Sequence, residues 1–191
     1  IVNGQETEYY YNGDQLLMEN RGGSTDRIYY IYDASGIAGI LIGYSYYYFD
    51  KNMLGDVVAI RNELGVIVAQ YEYDAWGNHT VTDRYGNVNT NSTFIGNINP
   101  IRYRGYYYDN ETGFYYLQTR YYDPTICRFI NADNYELVAT LSSVPGQLNM
   151  YAYCNNNPIM YIDETGEAFF TSLLIGVIVG AVIGGAIGAA N

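Results

Sequence analysis

The sequence predicts an all-β array of consecutive hairpins, ending in a tyrosine-rich closing region and one apolar helix. Three observations predict this. Turn signals recur at short, nearly even intervals. Tyrosine occurs 25 times in 191 residues, and aromatic residues suit pleated, half-buried surfaces. From Ala168 onward there is no charged residue, and glycine recurs at Gly176, Gly180, Gly184 and Gly188.

The hairpin array occupies roughly residues 1–96. Tyr-Asp-x-x-Gly occurs at Tyr32–Gly36 and again at Tyr73–Gly77, and Asn62–Gly65 and Asp83–Gly86 read as further turns. In each, Asp or Asn can bond the backbone two residues on, and Gly takes the positive φ that closes the turn. Gly55, Gly65, Gly77 and Gly86 are 10, 12 and 9 residues apart. Runs between them, such as Val57–Ile60 and Val66–Ala69, read as strands. Turns at that spacing indicate successive hairpins. A compact β-sandwich is the alternative architecture. Units this short and irregular cannot bury a face without neighbours, which favours the repeat array.

The stretch from Arg102 to Asp133 reads as two tyrosine-dense strands around an Asn110–Gly113 turn, followed by a Pro-bounded exit. Read as one alternating strand, Phe114–Tyr122 places Phe114, Tyr116, Gln118, Arg120 and Tyr122 on one face. Arg120 then projects among aromatic rings, where cation–π contact and a carboxylate partner are both available.

Several function classes are excluded. A net charge of −11 with a single lysine, Lys51, argues against a nucleic-acid partner, which needs clustered Lys and Arg. Cys127 and Cys154 make neither a disulfide scaffold nor a metal site, and the spacing leaves pairing and free thiols both open. His79 is the only histidine, and it reads as a strand or turn residue rather than a triad member. No phosphate-binding or dinucleotide-binding fingerprint occurs, and no cofactor is expected. The chain begins at Ile1 without a signal segment, so a C-terminal piece of a longer exported or surface protein is expected.

Residues 168–190 would span about 34 Å as a helix, close to the hydrocarbon thickness of a bilayer. The four-residue glycine spacing lays Gly176, Gly180, Gly184 and Gly188 along one face, where helix backbones approach closely. A transmembrane helix, a segment packed inside the fold and the start of a further domain all fit.

Particular motifs resemble a known family. Asn99-Pro100, Arg120-Tyr121-Tyr122-Asp123-Pro124, Arg128-Phe129 closing at Asp133, and Tyr151-x-Tyr153 with Asn156-Asn157-Pro158 resemble the RHS repeat-associated core. That core is the end of RHS/YD-repeat shell proteins, and the earlier Tyr-Asp turns resemble YD repeats. The resemblance implies a spiralling sheet in three parts: YD repeats over 1–96, the associated core over 97–167, and the apolar segment 168–191. It implies a shell-closing segment of a polymorphic toxin or wall-associated surface protein, secreted or at the cell surface, that encapsulates or presents a C-terminal effector. Its partners would be that effector and the upstream YD-repeat shell, with membrane or helix self-association through the glycine face. The alternative is a membrane-anchored YD-repeat adhesion protein without proteolytic activity.

The resemblance also implies a self-cleavage site made of Arg120, Asp133 and Asp163, with the cut between Glu167 and Ala168. At most, then, the chain is an intramolecular aspartyl autoprotease. Two aspartates held close cannot both ionise easily, so one keeps a proton; the other can activate water. Arginine would orient them or offset developing charge. The bland alternative makes both aspartates turn residues and gives Arg120 any acidic neighbour. The chain departs from the family pattern at Glu164, where Pro is usual, at Glu167, where Leu is usual, and at Cys127, where Gly is usual.

Overall fold

The computed structural model describes residues 6–22, 26–34, 36–133, 149–163, 165 and 166. It is all-β, with two antiparallel sheets. The first has eight strands in strict sequence order: β1 (Glu8–Asn12), β2 (Gln15–Asn20), β3 (Arg27–Asp33), β4 (Gly36–Ile42), β5 (Ser45–Lys51), β6 (Val57–Asn62), β7 (Ile67–Tyr73) and β8 (His79–Asp83). The second runs β12 (Arg128–Phe129), β11 (Arg120–Asp123), β10 (Phe114–Leu117), β9 (Tyr107–Asp109). Helix among the described residues is confined to α1 (Ile95–Ile98) and two 3₁₀ turns, Tyr103–Gly105 and Cys154–Asn156.

The hairpins share one local solution. Asn62, Asp74 and Asp83 each accept, on the side-chain Oδ1, the N–H groups of residues two and four positions on, at 2.8–3.1 Å. Their main-chain carbonyls accept the N–H of Gly65, Gly77 and Gly86. Asn52 repeats the pattern with Leu54, Asp56 and Gly55. The side chain thus satisfies backbone donors that the ladder cannot reach. Gly77 is required twice over. Its φ is 92°, and a Cβ there would come within 2.7 Å of the Tyr103 ring.

By contact the chain divides into two units, residues 1–72 with 80–99 and residues 73–79 with 100–191. In the first, Ile28, Ile40, Val57, Ile60 and Ala69 are buried on one sheet face. Glu19 is fully buried there, and its Oε1 accepts from Arg21 Nη2 at 2.9 Å and the Tyr30 hydroxyl at 2.5 Å. Tyr71 donates to the Gly96 carbonyl of α1 at 2.7 Å.

The second unit has a tyrosine core: Tyr103, Tyr106, Tyr115, Tyr122 and Tyr153 pack with Leu117, Phe129 and Cys154. The rings of Tyr122 and Tyr153 lie 4.1 Å apart. Each hydroxyl brought into such a core needs an acceptor. Tyr103, Tyr122 and Tyr115 donate to three successive carbonyls, those of Ala75, Trp76 and Gly77, at 2.8–2.9 Å. The Tyr-Asp turn is thereby fixed from one side by its own Asp and from the other by tyrosines. Trp76 packs against this core.

His79, at the start of β8, is a strand residue in an arginine–tyrosine cage. Arg102 Nη1 approaches its Nε2 at 2.5 Å, and the Tyr115 oxygen lies 3.2 Å from Nδ1. Arg102 can only donate, so Nε2 accepts and the neutral ring carries its proton on Nδ1. The Tyr108 ring meets it edge-on at 4.6 Å. Burial, followed by the Arg102 charge, pulls the His79 pKa down to about 4.

One sequence expectation is corrected. Phe114–Tyr122 is two strands joined by a turn at Gln118 and Thr119, where Gln118 takes a φ of 59°. Leu117 pairs with Arg120 and Tyr115 with Tyr122. Arg120 therefore shares the buried face with Tyr115, Leu117 and Tyr122, not with Phe114 and Tyr116. A two-residue turn reverses the face parity that unbroken alternation preserves. Cys127 and Cys154 are free thiols, and Cys127 takes the left-handed φ of 59° at the position where the resembled pattern has Gly. The expected helix over 168–191 with Gly176, Gly180, Gly184 and Gly188, and Glu164 and Glu167, lie outside the described residues. No helix among the described residues is long and apolar enough to cross a membrane.

Two stability predictions follow from the tyrosine core. Tyr122→Phe leaves the Trp76 carbonyl without its donor and should cost about 1–3 kcal/mol in urea unfolding, whereas Tyr151→Phe at an exposed site should cost about nothing. Below the ordinary histidine pKa of 6.5 the unfolded chain takes up a proton that folded His79 refuses down to about pH 4. Stability should therefore fall as pH drops through that window, by at most ~1.4 kcal/mol per pH unit. His79→Gln should lack that share of the slope when the two pH profiles are overlaid.

Candidate active site

The turn that ends β10 sets the position of Arg120. Thr119 donates its N–H to the Leu117 carbonyl at 2.6 Å, and β11 begins at the next residue with its side chain facing inward. Arg120 is only 5% exposed, and its guanidinium carbon lies 3.6 Å above the Phe129 ring centroid. A buried guanidinium needs acceptors in nearly every direction, and it has them. Nη1 donates to Asp133 Oδ2 at 3.0 Å and to the Met150 carbonyl at 3.3 Å. Nη2 donates to Asp163 Oδ2 at 3.3 Å, and Nε donates to the Gly166 carbonyl.

Asp133 reaches this point because the chain leaving β12 runs beside residues 150–152. Phe129 donates its N–H to the Tyr151 carbonyl at 3.0 Å, and Asp133 donates its own to the Met150 carbonyl at 2.9 Å. Asp163 is held at its backbone by Tyr106, whose hydroxyl donates to the Asp163 carbonyl at 2.5 Å. Its Oδ1 accepts the Gly166 N–H at 2.8 Å, which ties Asp163 to Gly166. One Asp163 oxygen thus serves the local bond to Gly166 and the other faces Arg120.

The two carboxylates sit in different surroundings. The Asp133 side chain is 19% exposed and that of Asp163 is 6% exposed. Burial raises the Asp163 pKa above the usual carboxylate range; Arg120 and the Gly166 N–H pull it back only in part, and Asp133 adds to the rise. Burial also draws the Arg120 pKa down, against the pull of both carboxylates, but guanidinium stays charged at biological pH. The arrangement is one fixed cation, one buried carboxyl with a raised pKa and one better-solvated carboxyl. Such a set can transfer protons in both directions to a peptide bond brought beside it. Among the described residues no group of three or more His, Cys, Asp or Glu side chains could hold a metal ion.

The structure thus gathers all three expected residues, Arg120, Asp133 and Asp163, around one guanidinium. Sequence reasoning missed Tyr106, Thr119, Phe129 and the Met150 carbonyl, which hold the group in place. Only the density of tyrosine hinted at Tyr106; a main-chain acceptor has no sequence signal at all.

Comparison with known proteins places the chain in a family. The family described as the Teneurin YD-shell matches residues 40–159. The tRNA nuclease WapA of Bacillus subtilis is 38% identical over 174 residues, covering 86% of this chain and 7% of WapA. The double-stranded DNA deaminase toxin A of Burkholderia cenocepacia is 31% identical over 122 residues, covering 64% of this chain and 8% of that protein. The chain therefore spans less than a tenth of these relatives. A crystal structure of TcdB2-TccC3 superposes with a TM-score of 0.58 at 22% identity, over 85% of this chain and 7% of the other, which supports the fold. The chain belongs to the YD-shell family of RHS/YD-repeat proteins.

Proposed function

We propose that this segment closes an RHS/YD shell around a C-terminal effector and that its Arg120 cluster cuts the chain between Glu167 and Ala168. The observation that carries the reading is the convergence of Asp133, Asp163 and the Gly166 carbonyl on one buried guanidinium, one residue short of Glu167. Relatives named for two unrelated chemistries, tRNA cleavage and DNA deamination, overlap on this chain, since their coverages of 86% and 64% together exceed its length. A segment common to both supports a role in housing an effector rather than in either chemistry. The net charge of −11 also makes a nucleic-acid surface unsuitable here.

The chemistry is hydrolysis of one peptide bond. The Asp133 carboxylate takes a proton from water as the water oxygen attacks the Glu167 carbonyl carbon. Arg120 offsets the negative charge that develops on that carbonyl oxygen. The Asp163 carboxyl then gives its proton to the Ala168 nitrogen as the C–N bond breaks, leaving a Glu167 carboxyl and an Ala168 amine. Because the substrate is the chain itself, a high effective concentration lets modest catalysis complete the single turnover. Residues 168–191 would lead into the effector. Their glycine face at Gly176, Gly180, Gly184 and Gly188 is what a membrane-inserting or self-associating helix would require.

In the full-length protein, intact mass should show a cut after Glu167 without added protease. Asp133→Asn and Asp163→Asn should each slow it by about 10²-fold or more, because each removes half of the acid–base pair. Arg120→Ala should do the same. An uncut wild-type chain would remove the proteolytic reading and leave the adhesion alternative. The pH dependence has a stated sign. Asp163 keeps its proton above the usual carboxylate range, so the rate should hold there and fall as pH rises through the elevated Asp163 pKa. A rate that instead climbs steadily toward alkaline pH would show that Asp163 is not the acid.

A further inference from the structure

We infer that Thr119 is a positioning residue that sets which peptide bond the Arg120 cluster meets; the inference rests on the proteolytic reading above. Thr119 lies in the turn between β10 and β11, immediately before Arg120, and belongs to no group assigned to proton transfer. Its hydroxyl donates to the Thr165 carbonyl at 2.8 Å, and its N–H reaches the same oxygen at 3.4 Å. The next residue, Arg120, donates from Nε to the next carbonyl, that of Gly166. Two successive residues of one turn thus read two successive carbonyls of the segment that leads into the scissile bond. Carbonyls recur at every residue, so these bonds anchor the segment against the turn, and the choice of offset falls to the fit at Gly166.

The same turn enforces the register sterically. A Cβ at position 166 would meet Thr119 Oγ1 at 2.7 Å, the Leu117 carbonyl oxygen at 2.8 Å and the Arg120 nitrogen at 3.3 Å. Gly166 also takes a φ of 76°. Thr165 and Glu167 each carry a Cβ, so neither can replace Gly166 in this slot. The turn therefore accepts the segment at one offset, which on the proteolytic reading would be the one that offers the bond after Glu167. Thr119 supplies the only side chain among the three blocking groups, which makes it the part of the device that mutation can remove.

The test compares Thr119→Val, which keeps the branched shape and loses the donor, with Thr119→Ser, which keeps the donor. Both are read in the full-length protein by intact mass against time, and by amide exchange at Gly166. Valine should slow the cut about fivefold to tenfold, the effect of losing about one net hydrogen bond, while its methyl keeps the block at Gly166 and so the place of the cut. It should also speed Gly166 exchange by a similar factor. Serine should recover rate and exchange to within about twofold, because it restores the hydroxyl. A valine chain that cuts at the wild-type rate, with unchanged exchange, overturns the inference and leaves the proteolytic reading standing. So does a valine defect that serine fails to reverse. A wild-type chain that never cuts, yet shows the valine–serine difference in exchange, removes the proteolytic reading and retains Thr119 as the residue that registers the segment.

Discussion

A phenolic hydroxyl taken into a dry core must find an acceptor, and the second unit of this chain is organised by that requirement. Five tyrosines fill the place that aliphatic residues occupy in most cores. Each brings a large apolar ring and one polar tip. Three tips land on Ala75, Trp76 and Gly77, which pins an irregular turn. A fourth, from Tyr106, lands on the Asp163 carbonyl. Phenylalanine would supply the rings but leave these carbonyls unpaired, at a cost of about 1–3 kcal/mol for each buried acceptor. The high tyrosine content is thus a way to build a core out of loops and short strands.

The Arg120 site depends on that core. A buried guanidinium costs several kcal/mol in lost hydration and stays only where acceptors surround it. Tyr106 fixes the Asp163 backbone, the 150–152 segment fixes Asp133, and the Phe129 ring covers the open face of the cation. The two carboxylates differ in exposure, Asp163 being the deeper. Burial at the deeper position raises the Asp163 pKa, and the Arg120 charge beside it opposes that rise. The proposed acid–base pair needs that asymmetry, whereas in a simple ion-pair network both carboxyls would be ionised.

How much could be read in advance follows the range of the interactions involved. The hairpin turns were legible because Asp74 or Asn62 and the following glycine interact within four residues, so type and spacing suffice. The face assignment of Arg120 failed because Gln118, a non-glycine residue with a positive φ, hides a turn inside an unbroken alternation. The cluster itself was legible only through family resemblance. Arg120 meets Asp163 across 43 residues and Gly166 across 46, and periodicity carries no information at that range. Tyr106, Thr119 and the Met150 carbonyl stayed hidden for a simpler reason. A side chain that holds a backbone oxygen leaves no complementary residue type in the sequence.

The most direct test of the acid–base account is the titration of the Asp163 carboxyl carbon by NMR in the folded protein, with Arg120→Met as the comparison. The account predicts a midpoint above the ordinary aspartate range in the native protein. It predicts a further rise when the Arg120 charge is removed. A midpoint at or below the ordinary range would mean that Arg120 holds two ionised carboxylates in a static ion-pair network, and would contradict the assignment of Asp163 as the proton donor.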